Sequence, residues 1–278
     1  KDAYLKIYPI SGYGNSDLLR EVMEIEKPDA ILHYTDPRFW IWLYNMEHEI
    51  RTKIPIFYYN IWDDLPTPRY NTDYYRSSDL LMAISKQTYG INKRILNDYN
   101  YEDWQITYVP HGINEKRFHK IKDKGDTKFK EFESKYSLDK YSFKILYSNR
   151  NIRRKCPGDC LLAYKRMMDK LTPEQRKECV FVFHAQVSDD NGTDMIASNE
   201  GFGLGSCEAL TCGTPIVVNV TGGLQDQCGF KELSPGPDAG GWRYLTHEDY
   251  VELKSNHRGK YKTHGEWVVP VFPSNISL

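Results

Sequence analysis

Short apolar runs alternate along this chain with longer stretches whose apolar positions recur at helical spacing, a pattern that predicts an α/β fold with parallel sheets. In the first half, residues 18–25 read as a helix and 30–34 as a short strand after Lys27-Pro28-Asp29. Residues 39–50 read as an aromatic-rich helix, and 54–59 and 80–84 as buried strands. Ser85 is placed to cap a helix reaching about residue 96, and 105–109 reads as a further strand.

Residues 114–140 interrupt the alternation. They are crowded with Lys, Glu and Asp and have few apolar positions, so they predict a solvated connection that divides 1–118 from 119–278. The pattern then restarts with strand 143–147, helix 157–170, strand 180–184, a glycine-opened helix over 203–212 and strand 214–220. Two Rossmann-like halves are expected. The polar stretch 186–199 is too short for a crossover of about a dozen residues plus the strand that should separate its neighbours, so segments are expected to be missing there.

Charge and composition then exclude several classes of function. The 278 residues carry 37 Lys and Arg against 38 Asp and Glu, which leaves no global field to attract nucleic acid or a membrane. With no run long enough to span a bilayer and no signal-peptide core near Lys1, the chain reads as soluble and cytoplasmic, with peripheral membrane contact left open. Six cysteines, at 156, 160, 179, 207, 212 and 228, show no C-x-x-C pair and no histidines at metal spacing, so buried thiols and no metal are expected. The 21 tyrosines and 6 tryptophans include a cluster at Phe39, Trp40, Trp42, Tyr44, Tyr58, Tyr59 and Trp62 that reads as core before it reads as a platform for sugar rings.

The chemistry concentrates in Ser198-Asn199-Glu200-Gly201-Phe202-Gly203-Leu204-Gly205-Ser206-Cys207-Glu208-Ala209-Leu210. Glycines let the backbone pass close to a ligand, and the helix they open presents free N–H groups that suit a phosphate. Glu200 in the loop and Glu208 about a turn into the helix can each reach hydroxyls of a ligand whose phosphates lie between them, which describes a nucleotide sugar. A dinucleotide-binding turn is disfavoured, because Ser206 stands where the third glycine belongs and the next strand ends near Asn219 and not at an acid. The bland alternative is a βα turn with solvated carboxylates.

Glu200, Glu208, Ala209-Leu210 and Cys212-Gly213-Thr214-Pro215 with the β-rich run after them resemble the signature of retaining GT-B glycosyltransferases of the glycogen-synthase-like family (glycosyltransferase family 4, group 1). The resemblance runs from about Pro28 to Asp226 and implies two Rossmann-like domains facing a cleft. It assigns Glu200 to the transferred sugar and Glu208 to the ribose, with Gly201, Phe202, Gly203 and Leu204 along the donor. Arg150 and Lys155 match the family's Arg-x-x-x-x-Lys, whose cations hold the diphosphate; a solvated basic loop is the alternative, and Arg153 and Arg154 are open either way. Val109-Pro110-His111-Gly112-Ile113-Asn114 resembles the family's segment between domains, with His111 in the usual Asn place and read as a hinge residue more than a base. Gly222 and Gly223 resemble a glycine pair near the donor sugar, or form a tight turn only. Trp62-Asp63 replaces the family's usual His-Asp or His-Asn, which makes Asp63 the substitute carboxylate for acceptor orientation or proton removal, unless it is simply a cap or turn residue. Asp63-Asp64 is no D-x-D. His33 and His48 read as structural, and Ser85 as a cap. The family's first strand with its glycine-rich turn and its closing helices have no counterpart, a further reason to expect missing segments.

The combined reading is a metal-independent, cofactor-free retaining enzyme that moves a hexose from a nucleotide diphosphate sugar to an acceptor hydroxyl. A GT-B nucleotide-sugar epimerase, or a catalytically silent sugar-binding protein of the same fold, are the alternatives.

Overall fold

Strand and helix alternate from Ser16 onward in the computed structural model, which describes residues 4–121, 126–149, 151, 155, 157–185, 202–220, 222–232, 242–249, 251, 261–262 and 268–271. The first elements are α1 (Ser16–Glu26), β1 (Ile31–Tyr34), α2 (Ile41–Asn45), α3 (Glu47–Arg51), β2 (Ile56–Asn60), α4 (Thr72–Arg76), β3 (Leu80–Ala83), α5 (Lys86–Leu96) and β4 (Ile106–Tyr108). Then come α6 (Thr127–Lys135), β5 (Phe143–Ser148), α7 (Pro157–Asp169), α8 (Pro173–Lys177) and β6 (Cys179–His184). The last are α9 (Leu204–Thr211), β7 (Ile216–Asn219), α10 (Leu224–Cys228), β8 (Phe230–Glu232), β9 (Trp242–Tyr244), β10 (Tyr261–Lys262) and β11 (Val268–Val271). The chain divides into two compact units, one of Lys1–Ile113, Glu200–Leu210 and Thr214–Leu278, the other of Asn114–Asn199 and Thr211–Gly213.

In the first unit β1, β2, β3 and β4 pair in that order, all parallel, so their carboxyl ends share one edge of the sheet. Along β2 burial alternates: Ile56, Tyr58 and Asn60 are buried, whereas Phe57 and Tyr59 are only half-buried and neighbouring Leu32 and Tyr34 are exposed. The strands read as buried are therefore buried on one face, as period-2 side chains on a half-covered sheet must be. That face packs Tyr58, Leu81 and Ile106 against Ile91, Ile95 and Leu96 of α5. It also packs Ile56 against Leu43, Met46 and Ile50. The unit also holds β7 paired with β11 in parallel, and β8 between β9 and β10 antiparallel.

The aromatic helix expected over 39–50 is broken. A 3-10 turn, Pro37–Trp40, begins at Asp36, whose carboxylate accepts the Arg38 N–H at 3.0 Å. α2 ends at Met46, whose N–H turns back to Leu43 and Tyr44, and α3 starts afresh. The break lets Leu43, Tyr44, Met46 and Ile50 all reach the core, which outweighs the continuity of a single helix. Ser85 caps α5 as expected, its Oγ accepting from the Thr88 N–H at 3.1 Å. At the end of β2, Asn60 donates to Asn92 Oδ1 at 2.7 Å, so the carboxyl end of the central strand is fixed to α5 by a bond inside the core.

The second unit pairs β5 and β6 in parallel over six residues, from Phe143 with Cys179 to Ser148 with His184. Tyr147 stacks on Phe183 and Tyr164 of α7 on Phe181, at 4.8 and 4.9 Å. The solvated connection expected over 114–140 contains a helix, α6, capped by Asp126 and exposing Phe129 and Phe132. Its high Lys and Glu content, read as a mark of solvation, is that of a solvated helix. Stretch 186–199, where missing segments were expected, lies outside the described residues.

His33 is 3% exposed, shares a 2.7 Å hydrogen bond between Nδ1 and the Tyr44 hydroxyl, and stacks on Tyr58 at 4.9 Å. Burial drops its pKa to about 4. Because the folded value lies below the unfolded one near 6.5, the stability it contributes is complete above about pH 6.5 and is lost as the pH falls towards 4, by about 3 kcal/mol. An NMR titration of the ring should therefore find its midpoint near pH 4 with a matching fall in unfolding free energy; a midpoint near 6.5 would contradict the burial.

Candidate functional site

The carboxyl edge of the four-stranded sheet is where loops can act without disturbing strand pairing, as in other open α/β sheets. Its loops are tied down by α5. Thr88 Oγ1 donates to the Trp62 carbonyl at 2.8 Å and Gln87 Nε2 to the Asp63 carbonyl at 3.1 Å. Asp63 is thus held through its backbone, half-buried, in a loop that no helix follows directly. Asp64 Oδ1 accepts from the Leu65 N–H at 2.8 Å, so the second acid of the pair is a turn residue.

Three consecutive polar residues of α10 organise the rest. Gln225 Nε2 donates to the Gly222 carbonyl at 3.1 Å and to Gln87 Oε1 at 3.4 Å. Asp226 accepts the Lys86 N–H at 3.2 Å, the Tyr108 hydroxyl at 2.9 Å and the Tyr244 hydroxyl at 2.5 Å, so one carboxyl group joins the start of α5, the end of β4 and the end of β9. Buried Gln227 donates from Nε2 to the carbonyls of Phe202 and Gly203, at 2.6 and 3.0 Å. Burial pushes Asp226 above its ordinary carboxylate value, although the two phenols and the amide pull it down. Burial, and then the Asp226 charge, pushes Tyr108 and Tyr244 up, so both remain donors.

Gly203 has φ +82°, and a Cβ there would lie 2.4 Å from Leu224 Cδ2 and 2.9 Å from Gln227 Nε2. Only glycine fits this turn. From it α9 rises, with Leu204 and Gly205 exposed in the first turn and half-buried Glu208 one turn inside, as the sequence spacing required. Phe202 is buried and meets the His111 ring edge-on at 5.3 Å. The Tyr59 hydroxyl, which donates to the Val109 carbonyl at 2.8 Å, lies 3.0 Å from His111 Nδ1. With that proton committed, the oxygen accepts, which places a proton on His111 Nδ1. Burial lowers the His111 pKa, which favours the neutral ring.

Gly222 has φ +52° and, with Gly223, is buried at the start of α10. Gly112 differs: a Cβ there would meet nothing within 4 Å, so the fold itself does not demand a glycine. In the second unit Lys155 is half-buried and its carbonyl accepts from the Tyr147 hydroxyl at 2.8 Å. Glu200, Gly201, Arg150, Arg153 and Arg154 lie outside the described residues. Cys160, Cys179, Cys207, Cys212 and Cys228 stand outside any disulfide. Only Cys228 among them is buried, which corrects the expectation of buried thiols. Burial followed by the nearby Asp226 and Glu208 charges raises Cys207 to about 11, so it is no nucleophile at neutral pH. Among the described residues no three His, Cys, Asp or Glu side chains are grouped as ligands for a metal ion, and no helix is long and apolar enough to cross a membrane.

No protein-family model and no curated protein matches the chain. Solved structures do. An α,α-trehalose-phosphate synthase (UDP-forming) from Burkholderia vietnamiensis superposes with a TM-score of 0.57 at 12% identity over 76% of this chain and 61% of its own. The fold is that of the GT-B glycosyltransferases. A glycosyltransferase from Rickettsia africae gives 0.51 at 14% over 78% and 66%. HepE from Anabaena, solved with UDP and glucose, gives 0.47 at 13% over 75% and 64%. The chain thus spans less than two thirds of the length of these structures, 61%, 66% and 64% respectively.

The α10 hub escaped the sequence reading. Asp226 entered it as the end of the stretch that carries the resemblance, and nothing local links residues 86, 108, 226 and 244. The contrast between the glycines is testable by chemical denaturation. Gly203→Ala should lose about 2–4 kcal/mol through an overfilled, left-handed position, while Gly112→Ala should stay within about 0.5 kcal/mol of the parent. Equal effects would mean that the turn before α9 is not held as described.

Proposed function

We propose that this chain binds a nucleotide diphosphate sugar at the start of α9 and acts as a retaining, metal-independent glycosyltransferase that passes a hexose to an acceptor hydroxyl. The observation that carries this reading is the left-handed Gly203 turn, clamped by Gln227, from which α9 rises with Glu208 one turn inside. Such a turn leaves backbone N–H groups available to a phosphate and brings a carboxylate within a turn of it, where a ribose offers hydroxyl donors. The GT-B fold supports the reading, as do the glycine pair at α10 and a histidine held between Tyr59 and Phe202.

In this proposal Glu208 holds the ribose and Glu200 the transferring sugar. Arg150 and Lys155 neutralise the departing diphosphate, the electrostatic help that a metal gives elsewhere. Phe202, Gly203, Leu204, Gly222 and Gly223 line the donor, with Gly201, His111 and Gly112 nearby. Asp63 orients the acceptor or takes its proton. Because the departing phosphate can itself accept that proton, the absence of the usual cleft histidine does not stop the reaction. The donor and the acceptor are the only partners invoked, and the cytoplasm is the compartment in which such donors are met.

Thermal unfolding across a panel of nucleotide sugars, begun with UDP-glucose and followed by turnover with and without excess chelator, tests the proposal. One donor should stabilise the chain, by about 2.7 kcal/mol at a hundred times its dissociation constant, and turnover should survive the chelator. Glu208→Ala should weaken binding by about ten- to a hundredfold, the weight of a charge-assisted hydrogen bond. No stabilisation by any nucleotide sugar, or unchanged affinity in the variant, would remove the site. Release of a new nucleotide sugar without an acceptor would establish the epimerase instead.

A further inference from the structure

Away from the carboxyl edge, the last turns of α5 form one wall of a pocket of about 400 Å³ lined by Thr67, Arg69, Lys93, Arg94, Asn97 and Tyr101. Three of these six are cations and none is a carboxylate. Lys93 and Arg94 sit in the last turn of α5, where positive charge favours a helix end, and that alone would explain them. It does not explain Arg69, which comes from the separate 3-10 turn Arg69–Asn71 and converges on the same hollow.

Part of the wall is held before any ligand arrives. Arg94 Nε donates to Thr67 Oγ1 at 3.2 Å, joining helix to loop across the pocket. Asn71, which ends the 3-10 turn, is fully buried, and Tyr101 packs against the core cluster of Tyr58, Ile91 and Ile95. Lys93 lies over the Tyr89 ring at 5.1 Å. The cations are not consumed by acids. Asp98 and Asp103 approach Arg69 and Lys93 only at 3.7 and 3.6 Å, through side chains 66% and 94% exposed, and neither acid lines the pocket. Among the described residues Arg94 has no carboxylate partner. Exposed pairs of this length contribute little and yield readily to a better anion.

We infer that this pocket binds the phosphoryl group of a phosphomonoester. A doubly charged tetrahedral anion answers three convergent cations better than a single carboxylate does, and guanidinium forks suit its oxygens. Asn97 and the Tyr101 edge would meet the organic part, and the volume admits a small molecule or a lipid headgroup with its glycerol. The inference does not rest on the nucleotide-sugar site.

The test titrates the whole chain with glycerol 3-phosphate by calorimetry and, separately, with phosphatidylcholine vesicles with and without phosphatidic acid by co-sedimentation. Saturable binding is expected in at least one arm: glycerol 3-phosphate identifies a soluble metabolite, and binding confined to phosphatidic acid identifies a headgroup. Arg69→Gln with Arg94→Gln should lower that affinity at least tenfold. The charge-keeping pair Arg69→Lys with Arg94→Lys, and Lys93→Gln alone, should lower it only a few-fold. All of these positions line the pocket, and the circular-dichroism spectrum and melting curve of each ligand-free variant should match those of the parent. Binding in neither arm, or binding that survives the double Gln variant within twofold, would overturn the proposal.

Discussion

The carboxyl edge of the sheet depends on one five-residue helix. α10 is too short to be stable by itself, yet Gln225, Asp226 and Gln227 each hold a different segment: the loop at Gly222, the junction of α5, β4 and β9, and the turn before α9. The decisive group is the Asp226 carboxyl. Burial disfavours its charge, and three donors offset that cost; taking any one away leaves a polar group unpaired where water reaches it poorly. The raised value fits a carboxyl retained for position. Its folded pKa lies above the unfolded one, so its contribution is complete at low pH and diminishes as the pH rises through the folded value.

This arrangement gives the glycine run its meaning. Gly203 adopts its left-handed turn because Leu224 and Gln227 occupy the space where a side chain would go, so the geometry that frees the first N–H groups of α9 is imposed from α10. His111 is drawn into the same neighbourhood from the end of β4, fixed by Tyr59 on one side and Phe202 on the other. The Gly203 turn and the His111 ring are thereby brought together from segments nearly a hundred residues apart in sequence, with Phe202 and Tyr59 as the contacts of the ring.

Local rules carried the sequence reading a long way. The strands over 30–34, 54–59, 80–84 and 105–109 were legible because short apolar runs lie between turn residues, and Ser85 was legible because a cap is a local bond. The helix starting near Gly203 was legible for the same reason, since glycine punctuation marks it. What failed was tertiary. Nothing in residues 39–50 shows that Met46 must turn so that Leu43 and Ile50 can share a core. The pairing of β8 with β9 and β10 joins residues separated by stretches with no periodic signal. The role of Asp226 was not legible because its three partners come from three other elements. The charge-rich stretch holding α6 shows the limit of composition: it marked the segment as solvated but did not distinguish a helix from a loop.

The most direct measurement is a crystal structure of the chain with the nucleoside diphosphate of whichever donor binds. The diphosphate should rest against the first turn of α9 beside Gly203, with the Glu208 carboxylate at about 3 Å from a ribose hydroxyl. A diphosphate bound elsewhere, with Glu208 beyond hydrogen-bonding reach, would contradict the assignment of this turn as the donor site.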